Sequence, residues 1–396
     1  MLCAVLALSC TAIPVFGAER VIDATGYSVS SGVTRGDGYV VLKNFGSYIG
    51  FDDVDLTGIR SVSVVADSEI AGGDNGDSYM IKIGNFSDGE NAGYIAVYDQ
   101  RSESKTYGAN LKKSVSGTKR LILQSVYGND SKIKIKKIIL SDNAVEENAP
   151  VPESAVRDNY SDTWAASDAL GRKIADFEET GGVKDGTHEV GMFYWTWSRG
   201  ERGSDHKPVN MSEFSAQHPE IKYDYNSDIW PKNASYYWNE PLFGYYSGTD
   251  YWIYRKHAEM LANAGVDTIV FDATNDAKTF RRQSDVLFAA FYDAKKDGLN
   301  VPKFCFMTPF GKTNGAAKQN IMRLYFSAYY GGKYSDLWFR WEGKPLLIGW
   351  QDMLKPRDND PVDAALMQEI KDFFTWRSCQ PNYDEGQNSE NQWAWL

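Results

Sequence analysis

Two acidic residues stand out by their surroundings. Glu240 lies within YYWNEPLFGYYSGTDYWIY, residues 236–254, where nine of nineteen residues are aromatic. Asp272 closes the apolar run VDTIVFDATN, with Asn275 three positions further on. Rings packed around a carboxyl exclude water and raise its pKa, which keeps an acid protonated near neutral pH. One protonated and one ionised carboxyl flanking a bond is the equipment of glycosidic cleavage. The surroundings therefore point to Glu240, between Trp238 and Phe243, as the acid, and to Asp272 as its ionised partner. Structural roles compete with this. Glu240 precedes Pro241 and could cap or salt-bridge a packed loop, and Asp272 could hold a neighbouring loop by hydrogen bonds; direct contact with a sugar is a further role for either.

Such groups need elements to position them, and from about residue 158 the chain alternates strand-like and helix-like segments. EVGMFYWTW reads as a strand that becomes aromatic at its C-terminal end. DYWIYRKHAEMLANAG carries an i, i+4, i+8 apolar stripe and stops at Gly265, a helix C-terminal signal, before the β-branched strand ending in Asp272. The helix SDVLFAAFYDAKKDG, the strand PKFCFMTPF, a helical stretch around AAKQNIMRLYFSAYYGG, a hairpin in LWFRWEGKPLLIGWQ, the helix DAALMQEIKDFF and the strand FFTWRSCQP follow. Repeated βα units over such a length imply a (β/α)8 TIM-type barrel; only five or six strands can be found, so either the barrel is incomplete or further strands lie within the aromatic loops. An open doubly wound sheet would want a Gly-rich phosphate turn after its first strand, and FYWTWSRGERG is a poor one. Barrel chemistry sits at the C-terminal ends of the strands. That rule selects Trp195, Trp197, Asn275, Trp376 and Arg377 as substrate-binding residues beside Asp272, with Gln351 near the same rim and Glu240 on a loop that leads to it.

Residues 19–142 have a different texture. Short alternating segments such as SVSVVAD, YMIKIGNF, RLILQSVYG and IKIKKIIL, bounded by Gly, Asn, Asp and Ser, predict a β-sandwich of the jelly-roll type. KIKIKK reads as a sheet edge or face with solvated lysines. An acidic, Pro-containing stretch over 143–157 reads as a linker to the second domain, 158–396. Residues 1–18, apolar and then small, read as an export signal, which places the protein outside the cell or in a periplasm. Acylation at Cys10 would instead make it a lipid-anchored adhesin.

Composition narrows the partner. Aromatics are 14% of the chain, with 12 Trp and 24 Tyr, and rings with a polar edge suit a half-apolar, half-polar ligand such as a sugar. A net charge of −11 disfavours nucleic acid, which needs a basic face. Beyond the leader only Cys305 and Cys379 remain, so no disulfide framework is expected. The four His residues show no metal spacing, and His257 falls on the stripe of a helix, so no catalytic metal is expected. No GxSxG elbow occurs, and no later run is long enough to span a bilayer.

GSYIGFDDVDLTGIRSVSVVAD, SVSGTKRLILQSVYGND and IKIKKIIL give residues 20–142 a resemblance to family 6 carbohydrate-binding modules. That resemblance implies a sandwich that binds sugar through loop aromatics and a late Asn, whose nearest matches are Tyr107 and Asn129. It also implies acidic ligands for a structural calcium near the start. Here VIDA keeps Asp23 but carries Thr25 where a second acid is expected. GMFYWTW, HAEMLANAGVDTIVFDATN and WEGKPLLIG make residues 158–396 similar to glycoside hydrolases of the family 71 and family 99 kind. That likeness implies a (β/α)8 barrel acting on polysaccharide or oligosaccharide, although the late Asn/Glu/Trp segment that carries the family's acids has no counterpart before residue 396. The whole predicts a secreted glycoside hydrolase targeted by a carbohydrate-binding module, with a non-catalytic surface glycan-binding protein as the rival.

Overall fold

In the computed structural model the described residues are 19–68, 76–98, 103–127, 130–146, 150–152, 157, 159–182, 184, 187–197, 207–232, 234–310, 315–379 and 386–393. The expected export signal and Cys10, Asn129 and parts of the linker lie outside them. The chain divides into two compact units, one ending at Glu146 and the next beginning at Glu147.

The first unit holds β1 (Glu19–Asp23), β2 (Val29–Ser31), β3 (Val33–Gly36), β4 (Tyr39–Leu42), β5 (Tyr48–Asp55), β6 (Ser61–Ser68), β7 (Asp77–Ile83), β8 (Glu90–Val97), β9 (Lys105–Asn110), β10 (Thr118–Ser125) and β11 (Ile133–Ser141). One antiparallel sheet runs β3-β4-β11-β6-β9, with β1 also on β11; the other runs β2-β5-β10-β7-β8. Period-two alternation sends Val62, Val64 and Ala66 from one sheet and Leu121 and Leu123 from the other into a shared core. KIKIKKIIL keeps that alternation through a bulge. Ile133 and Ile135 point inward, the register shifts before Lys137, and Ile138 and Leu140 then point inward again. Because β11 is an interior strand, its lysines cover a sheet face and not an edge. Lys136 bonds Asp67 at 2.6 Å, and Lys134 stands 5.0 Å from the Tyr39 ring.

The second unit comprises α1 (Phe177–Thr180), β12 (Gly191–Tyr194), β13 (Lys207–Asn210), α2 (Met211–Gln217), β14 (Ala234–Tyr237), α3 (Tyr251–Asn263), β15 (Thr268–Asp272), α4 (Arg281–Lys296), β16 (Lys303–Met307), α5 (Ala316–Leu324), β17 (Arg340–Trp341), β18 (Lys344–Ile348), α6 (Pro361–Phe373), β19 (Thr375–Cys379) and β20 (Gln392–Trp393). Its main sheet is parallel and runs β12-β15-β16-β18-β19-β20, with the short β17 antiparallel to β18. Strand order follows chain order without reversal. A doubly wound sheet would reverse at a switch point, and the unreversed order is compatible with a barrel wall. Among the described residues the parallel sheet has six strands, where a closed barrel of this type has eight, and no pairing joins β12 to β20.

The helices begin and end for local reasons. Asp250 caps α3 by accepting from the amides of Trp252 and Ile253, and Gly265, at φ 72°, ends it. Asp360 caps α6, with Pro361 in its first turn. The β17–β18 turn falls on Glu342 and Gly343, both at positive φ. On the helix side of the sheet the core is aromatic, with Phe288 stacked on Phe304 at 4.1 Å and Phe271 4.9 Å from Phe306. The other face carries Cys305, Met307, Leu346 and Ile348 and curls around a cavity of about 660 Å³.

Candidate functional site

Alternation along β15 puts Thr268, Val270 and Asp272 on the cavity side, with Asp272 at the C-terminal lip. Register then lines up Asp272, Met307, Ile348 and Arg377 as one row across four strands. Asp272 is only 6% exposed. Its Oδ1 accepts from the Thr274 amide at 2.9 Å and the Thr274 hydroxyl at 2.7 Å, which fixes the carboxylate's orientation. Trp195 and Trp197 follow the neighbouring strand β12 and are 59% and 38% exposed. The Trp197 indole donates to the Asp272 carbonyl at 3.3 Å and its ring stacks on Phe280 at 5.9 Å; Trp195 meets Phe193 edge to face at 5.7 Å. Asn275 is exposed on the loop after β15, and Gln351 is exposed in the turn after β18.

The remaining sequence candidates lie elsewhere. Trp376 is inside β19 on its helix side, where its indole donates to the Lys371 carbonyl at 3.0 Å and its ring meets Phe374. Arg377 shares the cavity face but turns to the β17–β18 turn, donating to Glu342 at 2.7 Å with its guanidinium 6.0 Å from the Trp341 ring. Both were expected after the strand; helix α6 ends at Phe373, so the strand takes them in instead. Glu240 is exposed on the loop after β14, which pairs with β13 in a separate two-stranded sheet. Trp238 beside it is 80% exposed, so the rings do not enclose the carboxyl. Among the described residues no hydrogen bond or ion pair links Glu240 to Asp272.

Several positioning residues escaped sequence reasoning. Asn320 of α5 is fully buried, and its amide nitrogen reaches the carbonyls of Ala273, Asp276 and Lys278 at 3.0, 3.3 and 3.0 Å. Arg323 donates to Ala277 at 2.6 Å. Together they hold the loop that follows Asp272. The available signal was an Asn on the apolar stripe of AAKQNIMRL, a place where a polar side chain needs a partner. At the end of β18, Gly349 leaves room for buried Thr308, since a Cβ there would stand 2.1 Å from the Thr308 hydroxyl. His257 packs as a structural residue, its Nδ1 2.7 Å from the Tyr194 hydroxyl, and burial lowers its pKa. Cys305 and Cys379 are free thiols on the cavity face, separated by the whole of β18, and burial pushes both up to about 12.

In the sandwich, Tyr107 lies within β9 opposite Val64, half-buried against the core, with Lys105 5.7 Å from its ring. Loop aromatics are found instead at Tyr98 and Tyr127, whose rings are 6.3 Å apart. Asp23 caps the short 3-10 turn at 24–26, accepting from the Thr25 amide and hydroxyl at 2.8 and 2.7 Å, and those bonds lower its pKa. Asp23 therefore has a turn-capping role with the same Thr25 that replaces an expected acid. No group of three or more His, Cys, Asp or Glu gathers as a metal site among the described residues.

Among solved structures, the sandwich is similar to family 6 carbohydrate-binding modules. One, from Clostridium stercorarium in complex with cellobiose, is 16% identical over 31% of this chain and 94% of the module, with a TM-score of 0.26. A second, from Clostridium cellulolyticum in complex with xylose, is 20% identical over 31% of this chain and 96% of the module, TM-score 0.27. A β-1,3-glucan-binding module from Bacillus halodurans is 20% identical over 31% of this chain and 94% of its own, TM-score 0.26. No family model matches the chain, and no curated protein matches it. No helix among the described residues is long and apolar enough to cross a membrane.

Proposed function

We propose that the chain is an exported polysaccharide-handling protein in which the sandwich binds glycan and the parallel unit, read as part of a (β/α)8 barrel, hydrolyses an O-glycosidic bond at Asp272. One observation carries the reading: an oriented, nearly buried carboxylate at the C-terminal end of a central parallel strand, with two exposed tryptophans following the adjacent strand. Strand ends are where such a fold gathers reactive groups. Indole faces there would stack on the C–H face of a pyranose and leave its hydroxyls to Asp272 and Asn275. In the sandwich, Tyr127 is the corresponding ring, with buried Tyr98 packed behind it. Binding by the sandwich would raise the local concentration of substrate at the parallel unit without a new contact there.

A non-catalytic glycan binder is the second reading. It is favoured by the exposure of Glu240 on the loop after β14, outside the ring enclosure expected of the acid, because hydrolysis by paired carboxyls needs a second group beside Asp272. Reducing-sugar release from cellulose, xylan, β-1,3-glucan and mannan by the full chain, alongside retention on the same immobilised polymers, separates the two. For the hydrolase, Asp272→Asn is expected to lower turnover by at least about 100-fold while retention is unchanged. Retention with no turnover on any polymer would leave the binder.

A further inference from the structure

The aromatic excursion between β12 and β15 is held in place yet poorly covered. Trp238, Leu242 and Trp252 are 80%, 84% and 54% exposed. Their backbone is fixed from several directions. β14 pairs in register with β13, Asn210 caps α2, and the Trp238 carbonyl accepts both the amide and the hydroxyl of Ser212, at 3.0 and 2.7 Å. Beneath lies a small aromatic core, with Trp230 5.6 Å from both Phe214 and Tyr236. A ring presented to water from a pinned backbone has already lost the conformational freedom that binding would otherwise cost.

The polar groups here are unsatisfied in a particular way. Tyr245, packed on Tyr237 at 5.3 Å, has a hydroxyl shielded from solvent that finds no hydrogen-bond partner. Burial, and then the charges of Glu240 and Glu213, raise its pKa, so it remains a protonated donor. Glu240 reaches over Gly244, with Oε1 3.7 Å from where a Cβ would stand. An exposed carboxylate thus stands two residues from an exposed indole, while the Tyr245 hydroxyl stays beneath the surface.

We propose that residues 236–252 form a separate glycan subsite, with Trp238 as the stacking platform and Glu240 accepting from the sugar's hydroxyls. A pyranose offers an apolar C–H face for the indole and hydroxyls that both donate and accept. Nucleic acid and other polyanions are disfavoured by Glu240 and Glu213. A protein partner is the weaker match, because Glu is depleted at the centres of protein interfaces. The proposal rests on the reading that this protein handles glycans, and it gives Glu240 a binding role.

The test is oxidative footprinting of the full chain, with Trp238, Trp195 and Tyr127 followed by peptide mass spectrometry, in the presence of cellohexaose, xylohexaose, laminarihexaose or mannohexaose. With sugar at about ten times Kd only about a tenth of sites stay free, so Trp238 oxidation is expected to slow by about tenfold. Glu240→Ala and Glu240→Leu, which keep the Trp238 ring, are expected to abolish most of that protection at the same concentration. Protection of Trp195 or Tyr127 with Trp238 oxidised at its free rate would overturn the subsite and leave the glycan reading standing. No protection anywhere, together with no retention on any polysaccharide, would remove both. Protection that persists in both variants would overturn the polar half of the proposal, and protection that rises with protein concentration without sugar would make the face a contact between copies.

Discussion

His257 is a residue whose chemistry can be read from its packing. It sits between Tyr194 and Tyr246, and burial alone lowers its pKa below the ordinary 6.5. In the fold the ring therefore stays neutral where the unfolded chain would already bind a proton. The stability this contributes is present above about pH 6.5 and is lost as pH falls through the lower folded value. Thermal melts at pH 8 and pH 5 should show a larger drop for the natural chain than for His257→Gln, the difference isolating this ring from the carboxylates. The cavity thiols give a second prediction at this scale. With pKa values pushed up to about 12, Cys305 and Cys379 carry almost no thiolate at pH 8. Alkylation followed by peptide mapping should leave both unlabelled in the native chain and label both in denaturant.

Among the elements, the loop from Asp272 to α4 shows how a helix can serve a neighbouring strand. Asn320 reaches across from α5 to three carbonyls of that loop, which also bends through positive φ at Asp276 and Phe280. Removing the amide leaves buried carbonyls without partners. Asn320→Ala is therefore expected to destabilise the chain by about 2 kcal/mol in urea unfolding, and to lower hydrolysis if Asp272 depends on that loop for its place. Rewinding the β17–β18 turn would act differently. Glu342 at positive φ holds Arg377, so the turn anchors the inward side of β19.

For the whole molecule, the two units draw on separate cores. Every residue of the sandwich core lies between Ala24 and Leu140. A fragment of residues 19–146 is accordingly expected to fold alone and to melt in one cooperative transition by circular dichroism. Under the proposed function it should keep part of the polysaccharide retention, with little salt dependence, because a neutral glycan releases no counterions. A fragment that failed to melt cooperatively would show that the sandwich needs the rest of the chain.

Local pattern determined much of this protein. Period-two alternation marked the strands of the sandwich, the apolar stripe and Gly265 marked α3, and the β-branched run ahead of Asp272 marked a buried strand, because each signal lies within a few turns or one strand of the residues it governs. The aromatic richness of 236–254 was equally plain. What the rings do was a tertiary matter: a ring encloses a carboxyl only if the chain folds back over it, and here β13 and β14 lift Glu240 and Trp238 into solvent instead. The same holds for Trp376, turned outward by one residue of strand phase, and for Asn320, whose three carbonyl partners are more than forty residues away in sequence. Register, and the long-range bonds that fix it, decided which of the chemically able residues share a face.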